Sequence, residues 1–180
     1  CCNARTETRP KMTKLAQLKH PDPMHLEAAA GWIQLGDYDS ANDELEKIRA
    51  EWRAHPDVLD LRWLIYSNDE QWDACLDIAS AIVKMVPDRA QGWLDKAFSL
   101  RRANDGGVEK AKPVLLEAAK LFPDDDMIQY NLACYCAQLG QLDAAQEYLD
   151  KSYELGDAKQ IKLMALDDED LKPLWESEVK

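Results

Sequence analysis

LGDYDSANDELEKI (35–48) and LGQLDAAQEYLDKS (139–152) are two copies of one pattern. GGVEKAKPVLLEAA (106–119) is a third copy, and DEQWDACLDIASAI (69–82) aligns with them. Anchored on the turn, Gly36, Glu70, Gly106 and Gly140 are spaced by 34, 36 and 34 residues. Two positions on stand Tyr38, Trp72, Val108 and Leu142, all large or apolar. Five on stand Ala41, Cys75, Ala111 and Ala145, all small, and then come Leu45, Ala79, Leu115 and Leu149. Ahead of each turn a second register holds Ala29, Trp63, Ala97 and Ala133, spaced by 34, 34 and 36. The two extra residues therefore sit in the third turn, within 103–107. A fixed period of this length marks stacked repeats.

Inside each copy the apolar residues recur every three or four positions, the spacing of a helix face and not of a strand. Leu45, Ile48 and Trp52 form one such stripe, and Leu115, Ala118, Ala119 and Phe122 another. Each unit reads as two helical stretches split by a polar turn. Asp22-Pro23 and the run Asp124, Asp125, Asp126 mark helix starts, because Asp caps free N–H groups and suits the positive end of the helix dipole. Pro87 and Pro123 follow cationic last turns and mark stops. The first unit runs about a turn longer, to Pro56.

A 34-residue helix–turn–helix period with small residues at the crossings resembles the tetratricopeptide repeat (TPR) family. Its small second-helix residue is matched by Ala41, Cys75, Ala111 and Ala145. Its small crossing residue is matched by Ala29, Ala97 and Ala133, while Trp63 departs. The aromatic near the start of the first helix is matched by Trp93, whereas His25, Leu59 and Gln129 depart. Its closing proline is matched by Pro87 and Pro123. The resemblance covers 22–157 and implies an all-α, TPR-like α-solenoid of about four repeats, bounded at 22–55, 56–89, 90–125 and 126–157. A plain helical bundle is the alternative.

Residues 158–180 do not repeat. Ile161, Met164 and Ala165 make a short amphipathic helix, and LDDEDLKPLWE resembles the D-x-D-L-x-x-L ending of bacterial TPR arrays. Such a C-terminal cap would lay Leu171, Leu174 and Trp175 over the open face of the last repeat and leave the acids at 167–170 wet.

The chain has 180 residues, 46% of them apolar, enough for a buried core. Only 7 glycines and 8 prolines argue against a turn-rich β fold. The net charge of −12 disfavours nucleic acid and anionic membrane as partners, since both are polyanions. No apolar run approaches the roughly 20 residues of a transmembrane helix. Residues 1–21 form a basic arm, disordered or helical. Arg5, Arg9, Lys11, Lys14 and Lys19 stand there against Glu7, a net of +4 over residues 1–20 that leaves −16 for the rest. The sequence begins at Cys1, so it reads as a processed form or a fragment. The arm is then a solvated tail or sequence ahead of a start at Met12 or Met24. A cytoplasmic location is expected. The alternative is a periplasmic or lipid-anchored protein, since processed bacterial lipoproteins start at a lipid-modified cysteine such as Cys1.

Cys134 and Cys136 form C-x-C on a predicted helix, where residues two apart point to different faces and do not close on one metal. His20, His25 and His55 have no histidine partner at i+4. A Gly-rich phosphate loop, H-E-x-x-H and G-x-S-x-G are all missing. No catalytic site, metal or cofactor is expected.

In the TPR family the first helix of each pair lines a concave groove that usually holds a peptide or helix. Carried over by position, the resemblance places there Leu26, Ala30 and Ile33, then Asp57, Asp60, Leu64 and Ser67. The third unit supplies Gln91, Leu94, Phe98 and Arg101, and the fourth Met127, Tyr130, Cys134 and Ala137. Leu64, Leu94, Phe98, Met127 and Tyr130 suggest one apolar patch and hence a binding site. The chain's own C-terminal helix, its arm or a second copy are the rival occupants. The expected function is a non-catalytic scaffold that binds a peptide or helix of another protein. Asp57 and Asp60 favour an apolar segment bearing Lys or Arg. A self-associating, homo-oligomeric module is one alternative, and a small acidic chaperone of type III secretion is another. The subclass that grips chaperone-tail carboxylates fits poorly, because Asp57, Asp60 and Asp95 would repel the ligand.

Overall fold

Every polar turn read in the sequence separates two helices. The computed structural model describes residues 13–177, which form ten α-helices and no strand. They are α1 (Asp22–Gln34), α2 (Tyr38–Lys47), α3 (Pro56–Asn68), α4 (Trp72–Met85), α5 (Ala90–Arg102), α6 (Val108–Leu121), α7 (Asp126–Gln138), α8 (Leu142–Leu155), α9 (Ala158–Asp167) and α10 (Lys172–Ser177). Tyr38, Trp72, Val108 and Leu142 each open a second helix, as the register requires. Three residues join α1 to α2, α3 to α4 and α7 to α8, while five join α5 to α6. Residues 1–12 of the basic arm and 178–180 of the C-terminal segment lie outside the described residues.

The chain forms two compact units that divide between Asn104 and Asp105. In the first, α1 packs on α2, α2 and α1 on α3, α3 on α4 and α4 on α5. In the second, α6 packs on α7, α7 on α8, α8 on α9, and α10 on α7 and α8. Ala41, Cys75, Ala111 and Ala145 are fully buried, and so are Leu45, Ala79, Leu115 and Leu149. Small residues let the paired helices approach closely, and a leucine so buried contributes roughly 1.5–3 kcal/mol.

The turns share one backbone device. Gly36 (φ 76°) and Gly140 (φ 70°) take the left-handed conformation that a helix needs to end sharply. Glu70 holds the same place at φ 56°. In the longer third turn the positive φ falls on Gly107, at 118°, and not on the aligned Gly106.

Three sequence expectations are corrected here. Leu45, Ile48 and Trp52 do not share one helix. α2 ends at Lys47, Ile48 is extended, and a separate 3-10 turn spans Ala50–Trp52. The break has a cause: the buried Asp22 takes the Arg49 backbone N–H at 2.9 Å, and Arg53 donates to the carbonyls of Ile48 and Glu46. Asp22 accordingly does not cap α1, while Asp125 does cap α7 by accepting from the Ile128 N–H at 2.9 Å. In the C-terminal segment Ile161, Leu171 and Leu174 are buried, but the acids before Leu171 are not all in water. Asp168 accepts the Tyr130 hydroxyl at 2.8 Å and caps the Asp170 N–H at 2.9 Å.

Candidate protein-binding face

The first unit has its α1 and α3 side occupied by its own chain. Residues 13–19 form no helix, strand or turn and approach α1, α3 and the α4–α5 connection. Thr13 donates from its backbone N–H and hydroxyl to Asp88, at 2.6 and 2.8 Å. Burial works against the Asp88 carboxylate, but the Thr13 donors outweigh it and hold its pKa below the ordinary value. His55 caps α3 through Nδ1, which accepts from the Asp57 N–H at 3.3 Å. That leaves the ring proton on Nε2, donated to the Ala16 carbonyl at 2.9 Å. Leu18 packs on the core of Ala29, Leu45 and Val58. At the arm's end Arg49 donates to the Lys19 carbonyl at 3.0 Å while holding Asp22 at 2.6 and 2.8 Å. The Arg49 hydrogen bonds outweigh desolvation and keep the Asp22 carboxyl below the usual carboxylate range.

Beside the arm an open pocket of about 390 Å³ remains. Leu15, Ala16 and Leu18 bound it on one side, and Leu26, His55, Asp57 and Arg89 on the other.

The structure treats the predicted groove residues unevenly. Leu26 and Ile33 are half-buried against the core, with Leu26 also facing the arm's pocket. Asp57 and Asp60 are not waiting for a ligand's cation, which corrects the sequence reading. Arg89 donates to Asp57 at 2.7 Å and to Asp60 at 3.1 Å. Burial pushes Asp60 above its ordinary pKa, opposed by Arg89 and reinforced by Asp57. Leu64 is 39% exposed and is the open apolar residue of α3. Leu94 and Arg101 are half-buried on α5.

Phe98 is corrected from groove to packing. It stands edge-on to Trp63 at 6.1 Å and to Trp72 at 5.6 Å, with the Arg102 guanidinium 3.5 Å above its ring. Trp63 explains this, because a bulky ring at a crossing that elsewhere takes alanine pushes toward α5 and leaves no room for Phe98 to stand free. Next to it, burial pushes Asp95 up to about 6, with Asp60 adding and the Gln91 hydrogen bond opposing. Burial, with Asp95 adding, also pushes the Cys75 thiol up to about 11, so it stays protonated and inert.

In the second unit Met127 is half-buried, but Tyr130 and Cys134 are 4% and 3% exposed. Asp168 covers both, accepting from the Tyr130 hydroxyl and, at 3.5 Å, from the Cys134 thiol. Burial and the Asp168 bond raise the Tyr130 pKa. Their share of the predicted groove is filled by the chain's own C-terminal segment. Cys134, Asp168 and Asp170 bring one sulfur and two carboxylates within 4.8 Å of one another, but Asp168 is already committed to these hydrogen bonds.

The sequence did not disclose Asp88, His55 and Arg49 as the residues that meet the arm. Their one legible signal was charge, a basic arm ahead of an acidic body.

The tetratricopeptide repeat family model matches residues 128–155, which span most of α7 and all of α8. No curated relative matches by sequence. Among solved structures the chain is similar to TTC0263, a thermophilic TPR protein of Thermus thermophilus. That match has a TM-score of 0.70 and 20% identity, over 87% of this chain and 82% of that one. It is also similar to MamA (41-end) from Desulfovibrio magneticus RS-1, with a TM-score of 0.65 and 19% identity over 76% of each chain. Against yeast Tom70 the TM-score is 0.68 at 17% identity, over 82% of this chain but 32% of that one. The fold is that of the tetratricopeptide-repeat proteins, an all-α solenoid class, and residues 128–155 carry the repeat itself.

Proposed function

We propose that the chain is a non-catalytic scaffold that holds an extended segment of another protein against the first helices of its first unit. One observation carries this reading: residues 13–19 already lie there without helix or turn, as a docked peptide would, held by hydrogen bonds at Asp88, Arg49 and His55. Phage-displayed peptides panned against the whole chain test it. Enriched peptides should lose binding with Leu64→Glu, which sets a charge on the open part of α3, and keep it with Leu163→Glu in the second unit. Peptides indifferent to Leu64→Glu would move the site off this face.

Self-association is the second reading, and a different surface favours it. Leu163 and Leu166 on α9 are 58% and 69% exposed, with Met164 and Leu155 also open. Clustered exposed apolar side chains favour association. Sedimentation that stays monomeric across a wide concentration range would remove that reading.

A further inference from the structure

The arm is a ligand-like occupant held in place by few contacts. Of residues 13–19 only Leu15 and Leu18 are even half-buried, while Thr13, Lys14, Ala16, Gln17 and Lys19 are exposed. Such a segment opens without the helices beneath it unfolding, because ordering an extended chain is costly and little apolar surface returns the cost. It also fits loosely, since the pocket of about 390 Å³ lies against Leu15, Ala16 and Leu18.

We propose that residues 13–19 compete in cis for a face that binds an extended, basic and apolar segment of a partner protein. This rests on the scaffold reading above and specifies its ligand. The face fixes the ligand's chemistry. Asp88 takes a hydroxyl and an N–H from one residue. His55 Nε2 donates to the main-chain carbonyl three residues on. Two branched apolar side chains three apart, in the places of Leu15 and Leu18, meet Leu26 and the core. Cations in the places of Lys14 and Lys19 suit a body of net −16. A larger side chain than Ala16 fills the pocket that the arm leaves. The partner segment reads hydroxyl–basic–apolar–large–x–apolar–basic, and it displaces the arm by filling that space.

The probe is an acetylated peptide of residues 13–20, in which acetylation keeps the Thr13 N–H an amide. Its binding to the full chain is compared with binding to Thr13→Pro/Leu18→Asp, which removes both donors to Asp88 and the core contact of the arm. A tethered arm competes at an effective concentration in the millimolar range, so the variant should bind the peptide at least about ten-fold more tightly than the wild type. A peptide carrying L15D/L18D should bind neither. If the double variant no longer melts cooperatively, the milder Thr13→Ala/Leu15→Ala keeps the comparison, with a gain of at least about three-fold expected. Equal affinity for wild type and variant overturns the proposal. So does a wild-type dimer that the arm substitutions dissolve, because the occupant is then the arm of a second copy. If the arm peptide binds neither form while panned peptides still depend on Leu64, the proposal fails and the scaffold reading stands. If no peptide of either kind binds, both fail.

Discussion

The indole N–H of Trp63 donates to the Ser99 hydroxyl at 2.9 Å, and Ser99 donates in turn to the Asp95 carbonyl at 2.7 Å. Trp63 stands where the other repeats carry alanine, and this bond is how α3 and α5 tolerate it. Ser99→Ala leaves the indole N–H buried without an acceptor and should cost about 1–3 kcal/mol. In a Trp63→Phe background, which has no N–H, the same substitution should cost markedly less. Urea denaturation of the four proteins measures the coupling, and strictly additive effects would count against the bond.

Glu70 sits at φ 56°, where the aligned turns carry Gly36 and Gly140. A Cβ is disfavoured there, so Glu70→Gly should stabilise by about 0.5–1 kcal/mol despite the added chain entropy of glycine. Gly140→Ala should destabilise by a similar or larger amount, although nothing crowds its Cβ position. Thermal melts of both variants check the pair, and a lower midpoint for Glu70→Gly would contradict the strain argument.

The repeat was legible because its signals are local and periodic. Ala41, Leu45 and Tyr38 recur at fixed offsets, and helix starts, turn lengths and the third turn's two extra residues follow from that spacing alone. The break after Lys47 was not legible, since it depends on Asp22 reaching Arg49 across 27 positions. The candidate site was legible only in part. Position within a repeat says which helix face a residue takes. It says nothing of what covers the face, so the arm on His55 and Asp88, and Asp168 on Tyr130, had to come from the folded chain. Phe98 was misread for a third reason, because the departure at Trp63 changes its neighbour's surroundings and not only its own.

Gln129 replaces the family's aromatic and is fully buried, with neither its amide nitrogen nor its oxygen hydrogen-bonded. Unpaired buried polar atoms are costly, so Gln129→Leu should stabilise the second unit by on the order of 1–3 kcal/mol. The gain should appear as a raised midpoint in denaturation followed through residues 105–177. An unchanged or lowered midpoint would show that the amide is satisfied in solution.

Asp95 sets a pH dependence of definite sign. Burial raises its folded pKa to about 6 from an ordinary 3.8. Well below pH 3.8 both folded and unfolded chains hold the proton, and the site imposes no penalty. As pH rises toward 6 the unfolded chain ionises first, so stability is lost across that window, and above it the loss stays constant at no more than on the order of 3 kcal/mol. Asp22, Asp37, Glu44 and Glu46 act oppositely, because hydrogen bonds to Arg49, Ser40, Lys47 and Arg62 lower their pKa and their stabilisation disappears as pH falls. The comparison must therefore be with Asp95→Asn, which keeps an acceptor for Gln91 and titrates nothing. The variant should exceed wild type by on the order of 1–3 kcal/mol at pH 7.5 and by well under about 1 kcal/mol at pH 4. Urea midpoints at pH 4, 5.5 and 7.5 decide the matter, and a difference that does not change with pH would mean that Asp95 ionises normally in the folded chain.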